Sequence, residues 1–141
     1  MSLYCMVYTS ISNQKMANDD LKQLLNKARM KNQAQQITGM LLYLDPYFIQ
    51  VLEGEYEVIG ETFDRIKKDE RHYKVSVIYK KEIQRRRFYN WTMGFNRVEK
   101  EEIEKMEGFS DFLQQSTNGS FERFPNKVDA LLLMFKHEIL F

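Results

Sequence analysis

Apolar positions along the chain recur with two different periods. Leu3 to Ser10 (LYCMVYTS) is apolar at odd and even positions alike, which predicts a strand buried on both faces. In NDDLKQLLNKARMKN, Leu21, Leu24, Leu25 and Ala28 fall at i, i+3, i+4 and i+7. That spacing predicts a helix with one apolar stripe, with Asn18 as its cap and Asp19 and Asp20 in its first turn. ITGMLLYLDPYFIQVLEG predicts a second and a third strand, turned at Asp45-Pro46 and ended by Gly54, because proline cannot donate to a sheet ladder. EYEVIGETFDRIKKDERHY predicts a second helix with Val58, Ile59, Thr62, Phe63 and Ile66 on one face. KVSVIYKKEI alternates Val75, Val77 and Tyr79 with polar neighbours, as a half-exposed fourth strand does, and FYNWTMGFN predicts a short fifth.

The order βαββαββ predicts an α+β, ferredoxin-like fold. Strands one and three are then central neighbours, with both helices on one face. From Glu99 the character changes. EEIEKMEGFSDFLQQ carries Ile103, Met106, Phe109, Phe112 and Leu113 on one helical face. NKVDALLLMFKHEILF begins with Asn126 as a cap and Asp129 at the third position, and repeats Val128, Leu131, Leu132, Phe135 and Ile139. The expectation is a domain over residues 1–97 and a helical pair over 98–141. The pair would cover the free sheet face and bring copies together as a homo-oligomer.

Several classes of function drop out. The net charge of +1 offers no global field for nucleic acid or an anionic membrane. Cys5 is the only cysteine, so no intrachain disulfide or multi-cysteine metal site forms. No apolar run approaches the about 18 residues that span a bilayer, and no secretion signal is evident, so a cytoplasmic protein is expected. Glycine-rich phosphate loops and the nucleophile-elbow motif are missing, and His72 and His137 lack ligand spacing, so no enzyme and no metal site are expected.

One residue stands out. In FIQVLEGE, Phe48, Gln50 and Leu52 share a strand face, and Gln50 is its only polar member. A buried amide must find partners or cost free energy. Tyr8, at the end of the Tyr4, Met6, Tyr8 face of strand one, is within reach if strands one and three are neighbours. The plainer reading of such a pair is a structural hydrogen bond in a core.

Tyr8, Asn32, Gln50, Trp91 and Met93, with ITGMLLY, FIQVLEGE, IKKDERHY and NWTM around them, resemble the BLUF family of flavin-using blue-light receptors. The resemblance runs over about residues 1–97, and the helical tail is similar to that of short stand-alone members. It implies a flavin (FAD or FMN, with riboflavin not distinguished) held non-covalently between the two helices. Leu24 and Ile66 would sandwich its ring, and Asn32 would bond its polar edge. Arg65 and Arg71 would face the far edge and phosphate, with Asp69 holding a hydroxyl or orienting an arginine, and His72 packing at the edge. Lys31 stands where relatives often carry Asn or His, which leaves that contact open. On photoexcitation Tyr8 would give an electron and a proton, and the Gln50 amide would rotate or tautomerise. Trp91 or Met93 would then relay the signal to the tail and alter affinity for a partner protein in signal transduction.

Each of these residues also has a plainer role. Leu24 and Ile66 are ordinary core residues, Asn32 is a left-handed helix C-cap, and RIKKDERHY is a solvated helix end. Trp91 and Met93 are sheet packing against the tail. Three other functions fit less of the chain: a binding or scaffold module without photochemistry, a single-stranded RNA binder on the sheet, and a flavin reductase.

Overall fold

Alternation along the central strands sorts their side chains into two layers, and the sheet lies between them. The structure, a computed structural model, describes residues 2–44, 46–89, 92–98 and 125–135. Its elements are β1 (Leu3–Ser12), α1 (Asn18–Gln35), β2 (Thr38–Leu44), β3 (Tyr47–Glu55), α2 (Tyr56–Lys67), β4 (His72–Glu82), β5 (Gly94–Arg97) and α3 (Pro125–Phe135). The sheet order is β4-β1-β3-β2-β5, with β5 parallel to β2 and the other neighbours antiparallel. This is the expected ferredoxin-like α+β arrangement with a fifth strand added.

On one face, Met6, Tyr8, Leu41, Phe48 and Leu52 pack under Leu21 and Leu25 of α1 and Ile59 and Phe63 of α2. On the other, Val7, Met40, Leu42, Ile49 and Val51 meet Val128, Leu131, Leu132 and Phe135 of α3. The central strands are apolar on both sides because neither side faces water. Each fully buried Leu or Phe contributes about 1.5–3 kcal/mol relative to exposure, so the α3 stripe alone holds that helix firmly on the sheet.

Polar anchors fix the chain between β4 and β5. Glu53 is fully buried on the α3 side of β3. Its Oε2 accepts the Arg87 amide at 2.7 Å, and its Oε1 accepts the Phe88 amide at 2.9 Å and the Thr38 hydroxyl at 3.0 Å. Arg86 adds hydrogen bonds of 2.9 Å to the Glu53 carbonyl and to Thr38 Oγ1. Asp129 of α3 accepts the Tyr79 hydroxyl and pairs with Arg87 at 3.3 Å, while Arg87 also donates to Tyr79 at 2.9 Å. Burial first, and then the bond to Asp129, push the Tyr79 phenol well above its usual pKa.

Five expectations change. Asn18 does not cap α1, since Ala17 precedes the helix and its amide donates to Asp20 at 3.3 Å. Asn18 Oδ1 instead accepts Arg97 at 2.9 Å. The left-handed C-cap is Gln36 (φ 57°), so Asn32 is not the cap and lies inside α1. Along β4, Val75 packs with the α1/α2 cluster and Tyr79 with the α3 cluster, because register shifts against β1 break the alternation. The fifth strand is shorter than expected, Gly94–Arg97, so Met93 precedes it. α3 begins at Pro125, which places Asn126 in the first turn, and the Asp129 carboxylate serves Tyr79 and Arg87. Trp91, the helix expected from Glu99 and the chain end with Ile139 lie outside the described residues.

Gly39 of β2 lies tight against the β3 backbone. A Cβ there would lie 2.0 Å from the Val51 carbonyl oxygen, which is backbone and cannot step aside. Gly39→Ala is expected to cost at least about 2 kcal/mol, read as a lower urea midpoint with an unchanged slope.

Candidate functional site

The antiparallel β1–β3 ladder sets Tyr8 opposite Gln50, with both side chains on the helix-covered face. The Tyr8 hydroxyl donates to Gln50 Oε1. The other end of the amide, Nε2, donates to Met93 Sδ at 3.2 Å. The amide orientation is thereby fixed, oxygen towards the phenol and nitrogen towards the sulfur. Tyr8, Gln50 and Met93 are all buried. Burial, and secondarily the negative charge of Asp69, raise the Tyr8 pKa far above the usual phenol value, so its proton stays on at neutral pH. The Tyr8 ring also leans on Phe63 of α2, with centroids 5.4 Å apart.

Above this pair, α1 and α2 part to leave a cleft of about 200 Å³. Leu24 of α1 and Ile66 of α2 are half-buried and line it, and Leu41 and Phe48 lie in the sheet beneath. Asn32, one of the few buried polar residues, lines it as well. Its Nδ2 donates to the Thr92 carbonyl at 2.7 Å, and among the described residues its Oδ1 accepts no hydrogen bond. An unsatisfied buried acceptor is uncommon and points to a ligand donor.

The basic cluster is organised unevenly. Asp69 Oδ1 accepts both the amide and Nε of Arg71 at 2.9 Å, so the carboxylate fixes this guanidinium at the cleft. Those hydrogen bonds hold the Asp69 carboxyl below its usual pKa and raise that of Arg71. Arg65 lines the cleft too, but its Nη2 donates to Gln35 Oε1 at 3.0 Å and Thr62 Oγ1 at 3.3 Å, clasping α2 to α1. His72 joins elements: Nε2 meets the Ile66 carbonyl at 2.7 Å, and Nδ1 meets Ser10 Oγ at 2.8 Å. A carbonyl only accepts, so Nε2 carries hydrogen, and in the neutral ring Nδ1 accepts from Ser10. Lys31 lines the cleft from its exposed side.

The structure thus brings together every residue singled out from the sequence except Trp91, which is outside the described set. It adds one that sequence reading passed over. Arg29 Nε donates to the Met93 carbonyl at 2.9 Å. It lies one turn before Asn32, so α1 holds two consecutive carbonyls, those of Thr92 and Met93. The only sequence signal was the i, i+3 spacing to Asn32, and a lone arginine beside exposed Met30 reads as a solvated face.

Apolar side walls, a sheet floor with a fixed amide, a free buried acceptor and cations at the mouth suit a planar heteroaromatic ring with a polar edge and an anionic tail. Among the described residues no group of three or more His, Cys, Asp or Glu side chains could hold a metal ion, and no helix is long and apolar enough to cross a membrane.

Comparison with known proteins points the same way. The beta subunit of a photoactivated adenylate cyclase from Euglena gracilis is 31% identical over 93 residues, 65% of this chain and 11% of that protein. The chain therefore spans about a tenth of that relative's length. Among solved structures, "BlrB - a BLUF protein, dark state structure" superposes with a TM-score of 0.74 at 25% identity, covering 98% of both chains. BlsA in its photo-activated state gives 0.71 at 30% identity, covering 89% of this chain and 94% of that one. Klebsiella pneumoniae BlrP1 with FMN and cyclic diGMP gives 0.65 at 29% identity, over 96% of this chain and 34% of that one. Residues 3–94 match the family model BLUF, "Sensors of blue-light using FAD". With that match over most of its length, the chain belongs to the BLUF family of blue-light sensors.

Proposed function

We propose that this chain is a blue-light photoreceptor whose cleft holds FAD or FMN non-covalently and whose signal is a changed orientation of the Gln50 amide. The observation that carries the reading is the line Tyr8 hydroxyl, Gln50 amide, Met93 sulfur on the floor of the inter-helix cleft. A bound flavin supplies the absorption of blue light and the excited-state redox change.

The chain's own residues supply the rest. Leu24 and Ile66 exclude water from the two flanks. Asn32 offers its open Oδ1 to a donor on the ligand edge, and Arg71, held by Asp69, offers its remaining donors to an anionic tail, with Lys31 also lining the cleft. Arg65 and His72 keep α1, α2 and β1 together around the cleft. Tyr8 is the group placed to yield an electron, with its hydroxyl proton moving along the existing hydrogen bond to Gln50. Gln50 then exchanges its two ends. An amide has a donor and an acceptor at opposite corners, so in either orientation one end can bond the Tyr8 hydroxyl, which both donates and accepts, whereas a glutamate carboxylate only accepts and a leucine makes no hydrogen bond.

The output reading rests on Met93. A turned amide faces its sulfur with an oxygen in place of the nitrogen, and the segment that follows enters β5 beneath the α3 layer. Residues 1–97 are the sensor and 98–141 the output element in this reading. Leu133 and Met134 remain exposed on α3, an apolar surface for a partner protein or a second copy. FMN in BlrP1 and FAD in the family description both support a flavin, and both share the ring that the cleft would hold.

Purified protein loaded with flavin should show a flavin spectrum that shifts a few nanometres to the red after blue light and recovers in the dark; a fixed spectrum defeats the proposal. Gln50→Leu should still bind flavin but lose the shift. Tyr8→Phe should do the same, and a normal shift in either variant counts against the switch. Asp69 gives a pH test. Its native pKa is depressed, so its stabilisation is complete above the usual carboxylate value of about 3.9 and fades as pH falls through the lower native value. Asp69→Asn should therefore be less stable than the parent at pH 7, with the gap closing below about pH 4. A gap that stays constant into acid would assign the loss to packing.

A further inference from the structure

Arg29 is a half-buried cation with no carboxylate partner among the described residues. Desolvation lowers its pKa with no acid to offset it. A guanidinium in that setting needs acceptors, and the one it has among the described residues is the Met93 carbonyl, 2.9 Å from Nε. Met93 is the residue whose sulfur receives the Gln50 amide. Residue 93 is therefore held twice, by its sulfur from the sheet and by its carbonyl from α1, while Asn32 holds the carbonyl before it.

The two holds are unequal. A charged donor on a carbonyl is stronger than a neutral amide on a thioether, which is a weak acceptor. When the amide turns, Gln50 Oε1 and Met93 Sδ face each other with no hydrogen between them. Either the side chain or the backbone of residue 93 must then give way. The stronger hold is on the backbone.

We propose that Arg29 is a positioning residue for the light response: it pins the Met93 backbone so that the turned amide displaces only the Met93 side chain, and the strain at the sulfur drives return to the dark arrangement. The inference rests on the photoreceptor reading and adds to it a residue that sets the lifetime of the lit state. Met93 is the only route by which Arg29 acts in this scheme, so its effect must vanish when the sulfur is gone.

The test uses the full chain loaded with FAD and times recovery of the red-shifted absorption after a blue flash. Arg29→Gln should lengthen the half-time about tenfold, with the size of the shift unchanged. Arg29→Lys, which keeps a cationic donor, should stay within about threefold of the parent. In a Met93→Ala background, Arg29→Gln should change recovery by less than about twofold, because the two residues act as one unit. A merely structural arginine would slow both backgrounds by the same factor, and that result overturns the proposal. So does parental recovery in Arg29→Gln. Should that variant not fold, NMR amide exchange at Met93 and Gly94 in the parent decides: equal rates in light and dark support a pinned backbone, and light-accelerated exchange refutes it. A parent with no red shift at all removes the photoreceptor reading and this inference together, whereas a normal shift with unaltered recovery in Arg29→Gln removes this inference alone.

Discussion

A primary amide buried in the middle of a sheet constrains everything around it. Gln50 has two donor hydrogens and an acceptor oxygen to satisfy without water, and leaving one unmet costs about 1–3 kcal/mol. Tyr8 can reach it because β1 and β3 are neighbours in the register that sets residue 8 against residue 50. A slip of one residue would turn the amide towards α3 and leave the phenol under the helices alone. Met93 can reach it because the chain entering β5 crosses beneath α1. The cleft and the strand order keep those three side chains together.

The second layer explains how such a site can have consequences at a distance. The central strands β1, β2 and β3 are covered on both faces, so they have no slack towards solvent on either side. Glu53 is three residues beyond Gln50 on the same strand but faces the opposite layer, where it grips the Arg87 and Phe88 amides. Arg87 then reaches the Asp129 carboxylate on α3. Phe88 is thus tied to one layer through Glu53 and Met93 to the other through Gln50. The buried carboxylate is tolerated because backbone amides and a hydroxyl occupy its oxygens.

The layout was readable in the sequence wherever it depends on local periodicity. The helix stripes, the doubly apolar central strands and the lone amide in FIQVLEGE follow from side-chain spacing, and the α3 stripe at Val128, Leu131, Leu132 and Phe135 does too. What depends on distant partners was not. Asn18 looks like a cap until Arg97, far along the chain, claims its oxygen. Asn32 looks like a C-terminal cap because an amide tolerates left-handed backbone, yet Gln36 takes that conformation four residues later. The bulges that send Val75 and Tyr79 to opposite layers leave no mark on hydropathy. Arg29 and Glu53 carry charge, and charge in a sequence reads as surface until a structure shows what lies against it. The candidate site residues stand out as a set through their family likeness, whereas their individual bonds, such as His72 between Ser10 and Ile66, depend on folding.

The irregularity of β4 has a further consequence. In the described sheet β4 is an outer strand eleven residues long, with one ladder side unpaired, and Tyr73 and Val77 on it are exposed. A flat strand of that kind is a template for fibre growth. Here Lys74 sits in left-handed backbone (φ 50°) and the ladder to β1 is offset twice. A second strand laid alongside would meet an irregular ladder. The same defects that spoil the alternation therefore make the edge a poor nucleus for amyloid.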